Sequence, residues 1–488
     1  MNHMKSLAAA SFAVLLGACG GGGGDGADKA PAANANTPPV ASASGPRSVS
    51  IHAVVTLDGS QSSDVDGDAL SYAWTLTDKP VGSAVALANP TSAKASFTAD
   101  VPGVFTATLS VDDGKPNGLS ASTVSITATA VNVIGAGQFV EAFHLKTVST
   151  AEVISALALA GDAAFLASPA YAVEAYRLTY MTVDGQGRQI AASGLVALPR
   201  KPAGALSPVL SYQHATIKRQ SRAPSALADL GDPPVVLASL GYIVVAADYV
   251  GYGASAAVPH PYLLSAPSAS AVIDLLTAAR YWRQTQQVPD NKQLFLTGYS
   301  EGGYVTMAAH RALQAGTSVH RNELVRVVAG AGPYDVGTAL DQLLAILRRE
   351  YFPLGQLLNP GLLRHLSDAD RRNARDLLLE LLVGSDAEVV FDPTVIDNYL
   401  ADDRSAIETF SDVSDWAPQV PVDLFHGRDD QTVPYPSATR TVQAMQARGA
   451  GPLVSLKECV AEPAGHSQCV LPYWRFVLDQ FAKAAKDL

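Results

Sequence analysis

The sequence predicts an α/β fold with a mostly parallel sheet, preceded by an all-β sandwich. Three observations predict it. From about residue 135 onward, short apolar runs alternate with helix-length amphipathic stretches. Residues 40–132 show instead short Thr/Ser/Val/Ala runs between Asp/Gly/Asn/Pro turns, without helical periodicity. Between those patterns in character, "LTGYSEGGYVTMAAH" (296–310) sets one serine between glycines where a strand pattern runs into a helix pattern. The chain has 488 residues, 48% apolar and 16% charged, enough for two or three domains with a large core. A formal net charge of −11 and no Lys/Arg cluster exclude a nucleic-acid partner. The pairs Arg348-Arg349 and Arg371-Arg372 read as solvated helix faces.

Residues 1–18 read as a targeting segment. His3 and Lys5 precede "LAAASFAVLLGAC" (7–19), which is too short to span a bilayer. Its end, Leu16-Gly17-Ala18-Cys19, resembles the lipobox of bacterial lipoproteins, which implies lipid on Cys19 and anchoring to a membrane. A plain secretory signal cut near Ala18 is the alternative. Gly20 is not the aspartate that marks inner-membrane retention in that family, so the resemblance implies an outer-membrane or otherwise secreted, cell-envelope protein. Residues 19–39, rich in Gly, Ala and Pro, read as a flexible tether.

The sandwich pattern of 40–132 includes "VTLDGSQSSDVDGDALSYAWTL" (55–76) and "FTADVPGVFTATLSVDDG" (97–114), with Trp74 expected in the core. These stretches resemble the PKD domain, an immunoglobulin-like spacer or binding module. Asp64, Asp66 and Asp68 are either a calcium set or charged turn residues. No other metal and no cofactor is expected.

In 135–488 the candidate strands are 174–182, 190–198, 208–213, 242–248, 293–299, 325–331, 420–426 and 452–459. Helical stretches fall near 232–240, 268–287, 301–315, 436–449 and 472–486. Residues 333–416 break the rhythm. There "LDQLLAILRRE" and "RRNARDLLLELLV" are amphipathic helices with no strand between, which reads as a cap or lid insertion. Its leucines, among them Leu340, Leu343, Leu344, Ile346, Leu377, Leu378, Leu379, Leu381 and Leu382, either seal the cap or face a cleft.

Gly-x-Ser-x-Gly is weak alone in a chain with 39 glycines. Here "QLFLT" (293–297) reads as a buried strand and 301–315 as a helix with Tyr304, Ala308 and Leu313 on one side, the strand–turn–helix that exposes a nucleophilic serine. A Cβ at Gly298 or Gly302 would collide with backbone there, and Gly303 allows close helix–strand packing. Ser300 is therefore the candidate nucleophile, with the N–H of Glu301 aimed at a developing oxyanion. In the α/β-hydrolase fold an acid and then a histidine must follow in the chain. "VPVDLFHGRDDQTVP" (420–434) supplies Asp430, with Asp429 as the alternative and His426 as a structural strand end. Among the ten histidines, His466 alone lies downstream of Asp430. It sits in "CVAEPAGHSQC" (459–469), and with Cys19 lipidated the remaining Cys459 and Cys469 form a disulfide in an oxidising compartment, or stay as two free thiols.

"VLSYQHATIKRQ" (209–220), "YIVVAADYVGYG" (242–253) and Gly-Tyr-Ser-x-Gly-Gly resemble the secretory lipase family of α/β-hydrolases, of Candida-lipase type, over roughly 140–485. The resemblance implies a second oxyanion donor at His214, although Ala215 stands where relatives carry glycine. Asp248 and Tyr252 read as braces of their turn. The expected function is a serine carboxylic ester hydrolase, esterase- or lipase-like, with a Ser300–Asp430–His466 triad and an acyl-enzyme. Its partners would be a small-molecule or lipid ester substrate and a membrane through Cys19; oligomeric state stays open. The alternatives are a serine peptidase of the same fold and a non-catalytic surface binding lipoprotein.

Overall fold

A computed structural model describes residues 36–159, 168–350, 365, 367–384 and 386–488. The expected signal segment 1–18, Cys19 and the expected tether up to 35 lie outside these, as do the side chains of Ile346 and Leu381.

Alternating apolar residues build the first domain. Its strands are β1 (Ser48–Ser50), β2 (Val54–Asp58), β3 (Ser71–Asp78), β4 (Lys94–Thr98), β5 (Gly103–Asp112) and β6 (Leu119–Thr129). They form a sheet of order β1-β6-β5-β3 facing a β2-β4 pair. Every second residue of β5 points inward, and Phe105, Ala107, Leu109 and Val111 join the buried Trp74. The three turn aspartates have protein partners. Asp64 Oδ1 accepts from the N–H groups of Asp66 (2.9 Å) and Asp68 (3.1 Å), and Asp68 pairs with Lys115 at 3.4 Å. Among the described residues no group of three or more His, Cys, Asp or Glu side chains is arranged to hold a metal ion.

The second domain is a nine-stranded sheet. It runs through β7 (Phe139–Val148), β8 (Val173–Val183), β9 (Gln189–Pro199), β10 (Val209–Gln213) and β11 (Ile243–Ala247). It continues with β12 (Leu294–Tyr299), β13 (Leu324–Gly330), β14 (Val422–His426) and β15 (Val454–Glu458). The order is β15-β14-β13-β12-β10-β11-β9-β8-β7, parallel from β15 to β11 and antiparallel from there to β7. All residues of β11, β12 and β14 are buried, as strands covered by helices on both faces must be. Each of the eight expected strands is present. β7 was not expected. It is an edge strand with two register shifts, so its apolar residues do not alternate cleanly.

Helices Ser265–Thr285, Glu301–Ala315 and Val470–Ala482 pack on the sheet as read from the sequence. Between β13 and β14 stand the helices Val336–Glu350, Asp368–Val383, Thr394–Leu400 and Arg404–Phe410. This is the expected insertion. Its leucines divide: Leu344 and Leu378 are buried in the core, whereas Leu377 is exposed. Strands β12 and β14 lie on either side of β13, so their carboxyl ends open at the same edge of the sheet.

Candidate active site

Ser300 follows β12 directly and helix Glu301–Ala315 begins at the next residue, so the chain must reverse within one residue. Ser300 takes φ 60°, ψ −125°, a conformation that costs a non-glycine residue free energy and persists only when its surroundings enforce it. Those surroundings are specific. A Cβ on Gly298 would come within 2.4 Å of Gly302 O, one on Gly302 within 2.1 Å of Gln213 O, and one on Gly303 within 2.4 Å of Gly330 O. Tyr473, on the last helix, donates its hydroxyl to Gly298 O (2.9 Å) and Val328 O (3.0 Å) and accepts from Gly298 N (3.1 Å). The turn is clamped from three sides.

The structure brings Ser300, His466 and Asp430 into one line. His466 Nε2 lies 2.9 Å from Ser300 Oγ, and His466 Nδ1 lies 2.6 Å from Asp430 Oδ2. Asp430 is buried. Its Oδ1 accepts from the N–H groups of Thr432 (2.9 Å) and Val433 (2.8 Å), and His426 Nε2 stands 3.4 Å from Oδ2. Burial pushes the Asp430 carboxyl up, but hydrogen bonds from His426 and His466 outweigh it and bring it down to about 2. A carboxylate so held stays charged and fixes the tautomer of His466 with the proton on Nδ1, leaving Nε2 free to accept from the serine.

Asp429, the alternative acid, does something else. Its Oδ2 accepts from Ala464 N at 2.9 Å and its own N–H donates to Ala464 O at 3.2 Å, tying down the loop that carries His466. The Cys459–Cys469 disulfide closes the same loop, with Cα atoms 5.9 Å apart. His426 is buried at the strand end with Nε2 on Val433 O at 2.8 Å, a structural residue as read.

Glu301 heads its helix, where N–H groups have no intrahelical acceptor, so its N–H is available beside Ser300. His214 is placed less directly. Its ring is buried, stacks on Tyr249 at 3.9 Å between centroids, and faces Ala215 O (2.7 Å) and Asp248 O (3.1 Å). From this loop Ala215, Thr216 and Lys218 line the cleft over Ser300. The ring of His214 therefore holds the loop, and any donor role belongs to the backbone. Asp248 accepts from Ser193 Oγ and Ser225 Oγ, both at 2.6 Å, and Tyr252 donates to Ile217 O at 2.7 Å; both brace the turn.

The cleft holds about 340 Å³. Its floor is Ser300, Tyr299 and His466; its roof is Val336, Ala339, Leu340, Leu343, Leu382 and Val383 of the insertion. Besides Tyr473, two contributors went unread in the sequence. Tyr299 sits inside the serine motif and donates its hydroxyl to His466 O at 2.8 Å. His260, in the unmarked stretch "VPHPYL", reaches the side chain of Glu301 at 2.6 Å. A tyrosine hydroxyl beside the serine was a weak signal for the first; nothing local signalled the second.

Two family models match parts of the chain: the PKD domain over residues 36–129 and the prolyl oligopeptidase family over 232–316. Among solved structures, a candidate hydrolase from Legionella pneumophila is similar at TM-score 0.57 and 24% identity, covering 71% of this chain and 97% of that one. The rice cell wall degrading esterase LipA from Xanthomonas oryzae is similar at TM-score 0.55 and 25% identity, covering 72% of this chain and 100% of its own. No curated protein matches the chain.

Proposed function

The chain being a PKD domain followed by an α/β-hydrolase domain of a serine hydrolase, we propose that it cleaves carboxylic esters through an acyl-enzyme. The carrying observation is the Ser300–His466–Asp430 line, with contacts of 2.9 and 2.6 Å, beneath a cleft roofed by apolar side chains. Ser300 Oγ attacks the ester carbonyl while its proton passes to His466 Nε2, and Asp430 supports the imidazolium. The carbonyl oxygen, now an oxyanion, is held by the Glu301 N–H and a backbone N–H of the 214–216 turn, for which His214 is the proposed residue. Collapse expels the alcohol, which takes the proton from His466. Water then attacks the acyl-enzyme by the same route, releasing the acid and free Ser300.

The match to the prolyl oligopeptidase family favours a second reading, a serine peptidase using the same line. An apolar cleft roof and similarity to an esterase favour the ester. A panel of p-nitrophenyl esters from acetate to palmitate, run beside aminoacyl nitroanilides, separates the two. Esters alone should turn over, and Ser300→Ala should lower that turnover by a factor of roughly 10³ or more while abolishing fluorophosphonate labelling. Anilide cleavage with inert esters would overturn the ester reading. We further propose envelope attachment through lipid on Cys19; Cys19→Ser should release the protein from the membrane fraction.

A further inference from the structure

Glu301 carries a carboxylate on the same residue whose N–H faces the oxyanion. That side chain is 1% exposed, with Oε1 2.6 Å from His260 Nε2, and its Oε2 takes no hydrogen bond among the described residues. His260 is 2% exposed, and its Nδ1 lies 2.8 Å from Val250 O. A carbonyl only accepts, so Nδ1 carries a hydrogen. The short Nε2···Oε1 contact then requires one further proton, and on whichever atom it rests the pair is neutral overall.

Among the described residues, His260 is the one hydrogen-bond partner of the Glu301 carboxylate. His260 is ringed by Tyr249, Tyr252, Tyr262 and Phe391. Burial raises the three tyrosine hydroxyls, which stay protonated, and disfavours the charged form of His214. Lys218, at the cleft, sits 3.1 Å from Asp386. The position of His260 is enforced by backbone: its N–H donates to Val390 O at 2.7 Å, and its carbonyl accepts from Asp392 N at 2.8 Å.

An uncompensated carboxylate opposes the charge that must build on the oxyanion. As a scale, two like unit charges about 6 Å apart in an effective dielectric near 20 repel by an amount that corresponds to roughly a hundredfold in rate. Resting on the serine-hydrolase reading above, we propose that His260 is a positioning residue for the reaction: the partner that keeps the Glu301–His260 pair neutral overall while the oxyanion forms. Its effect is exerted through Glu301, and it touches no reacting atom.

A double-mutant cycle on the full chain tests this, with p-nitrophenyl butyrate as substrate and fluorophosphonate titration to count competent Ser300. His260→Gln keeps a hydrogen bond to Glu301 but cannot carry its proton. It should lower kcat roughly 30- to 100-fold with KM changed less than about threefold. Adding Glu301→Gln removes the charge and should restore at least about tenfold of that loss. In the Glu301→Gln background, His260→Gln should change kcat by less than about threefold. A double variant no faster than His260→Gln, or a loss of tenfold or more within the Glu301→Gln background, overturns the proposal and leaves His260 as packing. Should His260→Gln not fold, the Glu301→Gln comparison decides alone. A wild-type chain that is neither titrated nor active would sink the hydrolase reading itself, a distinct result.

Discussion

Tyr299 donates its hydroxyl to the backbone carbonyl of His466 across 2.8 Å, and its ring centroid lies 5.2 Å from that of His466. The residue just before the proposed nucleophile thus holds the loop of the proposed base. Two groups 166 residues apart in the chain share one mount. In the apolar roofed cleft a lost hydrogen bond leaves the His466 carbonyl short of a partner and the loop free to drift. Tyr299→Phe should lower kcat roughly tenfold with KM nearly unchanged, since a small misplacement of the base costs rate before it costs binding. Steady-state kinetics on one short ester checks this. Unchanged kcat would show that the disulfide and Asp429 suffice to hold the loop.

The two adjacent aspartates should separate cleanly. Asp430→Asn removes the charge that supports the imidazolium and should lower kcat by roughly 10³-fold. Asp429→Asn weakens only the tie to Ala464 and should cost about tenfold or less. Equal losses from both would contradict the division of roles.

The depressed Asp430 carboxyl also has a pH signature. Its value in the folded chain, about 2, lies below the ordinary 3.8, so the stabilisation is complete above about pH 4 and lost as pH falls through about 2. The shift corresponds to about 2 kcal/mol. Asp232, Asp274 and Asp412 are raised to about 6 by desolvation and act in the opposite sense, so the bare wild-type profile mixes both. The difference between wild type and Asp430→Asn isolates the term. Urea unfolding should show that gap shrinking by roughly 1–2 kcal/mol between pH 6 and pH 2.5. A constant gap would mean that the carboxyl is not depressed.

The disulfide closes a loop of sequence separation 10 around His466, and both cysteines are buried. Its removal by Cys459→Ser/Cys469→Ser should destabilise by about 2–3 kcal/mol on chain-entropy grounds. Hydrolysis should slow as well, because the loop then rests on hydrogen bonds only, among them those of Asp429, Tyr299 and Asp430. Thermal unfolding and kinetics at 25 °C read the two effects separately. Full activity in the double variant would make the bond a matter of stability only.

The cap leucines set an expectation for substrate length. Leu340, Leu343 and Leu382 line the cleft over Ser300, and each buried methylene of an acyl chain gains about 0.8 kcal/mol. In a cleft of about 340 Å³, kcat/KM should rise from acetate to roughly hexanoate or beyond and then fall. Leu343→Phe narrows that space and should move the optimum to shorter acyl chains. An enzyme that prefers acetate tenfold over hexanoate would be a small-ester esterase.

Much of this was written locally in the chain. Apolar runs such as "IVVAA" and "LFLTGY" have no polar face and must lie between covering layers, so β11 and β12 were legible as buried strands. The helix from Glu301 to Ala315 has the expected bounds, but Glu301 to His310 are buried on every side rather than along one face, because the helix packs between sheet and insertion. Strand β7 was not legible, because an edge strand with bulges can leave one face wet and break its alternation without penalty. The order serine, acid, histidine followed from position alone, and Gly298 and Gly302 followed from the room a sharp turn needs.

What the sequence by itself determined, then, are the elements, the serine turn and the short list of partners, all set by spacing along one segment. Only the tertiary structure decided between Asp429 and Asp430, turned the His214 ring away from the cleft, and brought Tyr299 to His466 and His260 to Glu301. Those contacts join side chains from elements far apart in the chain. Their distances depend on sheet register and loop closure, in which a shift of one residue turns a side chain to the opposite face.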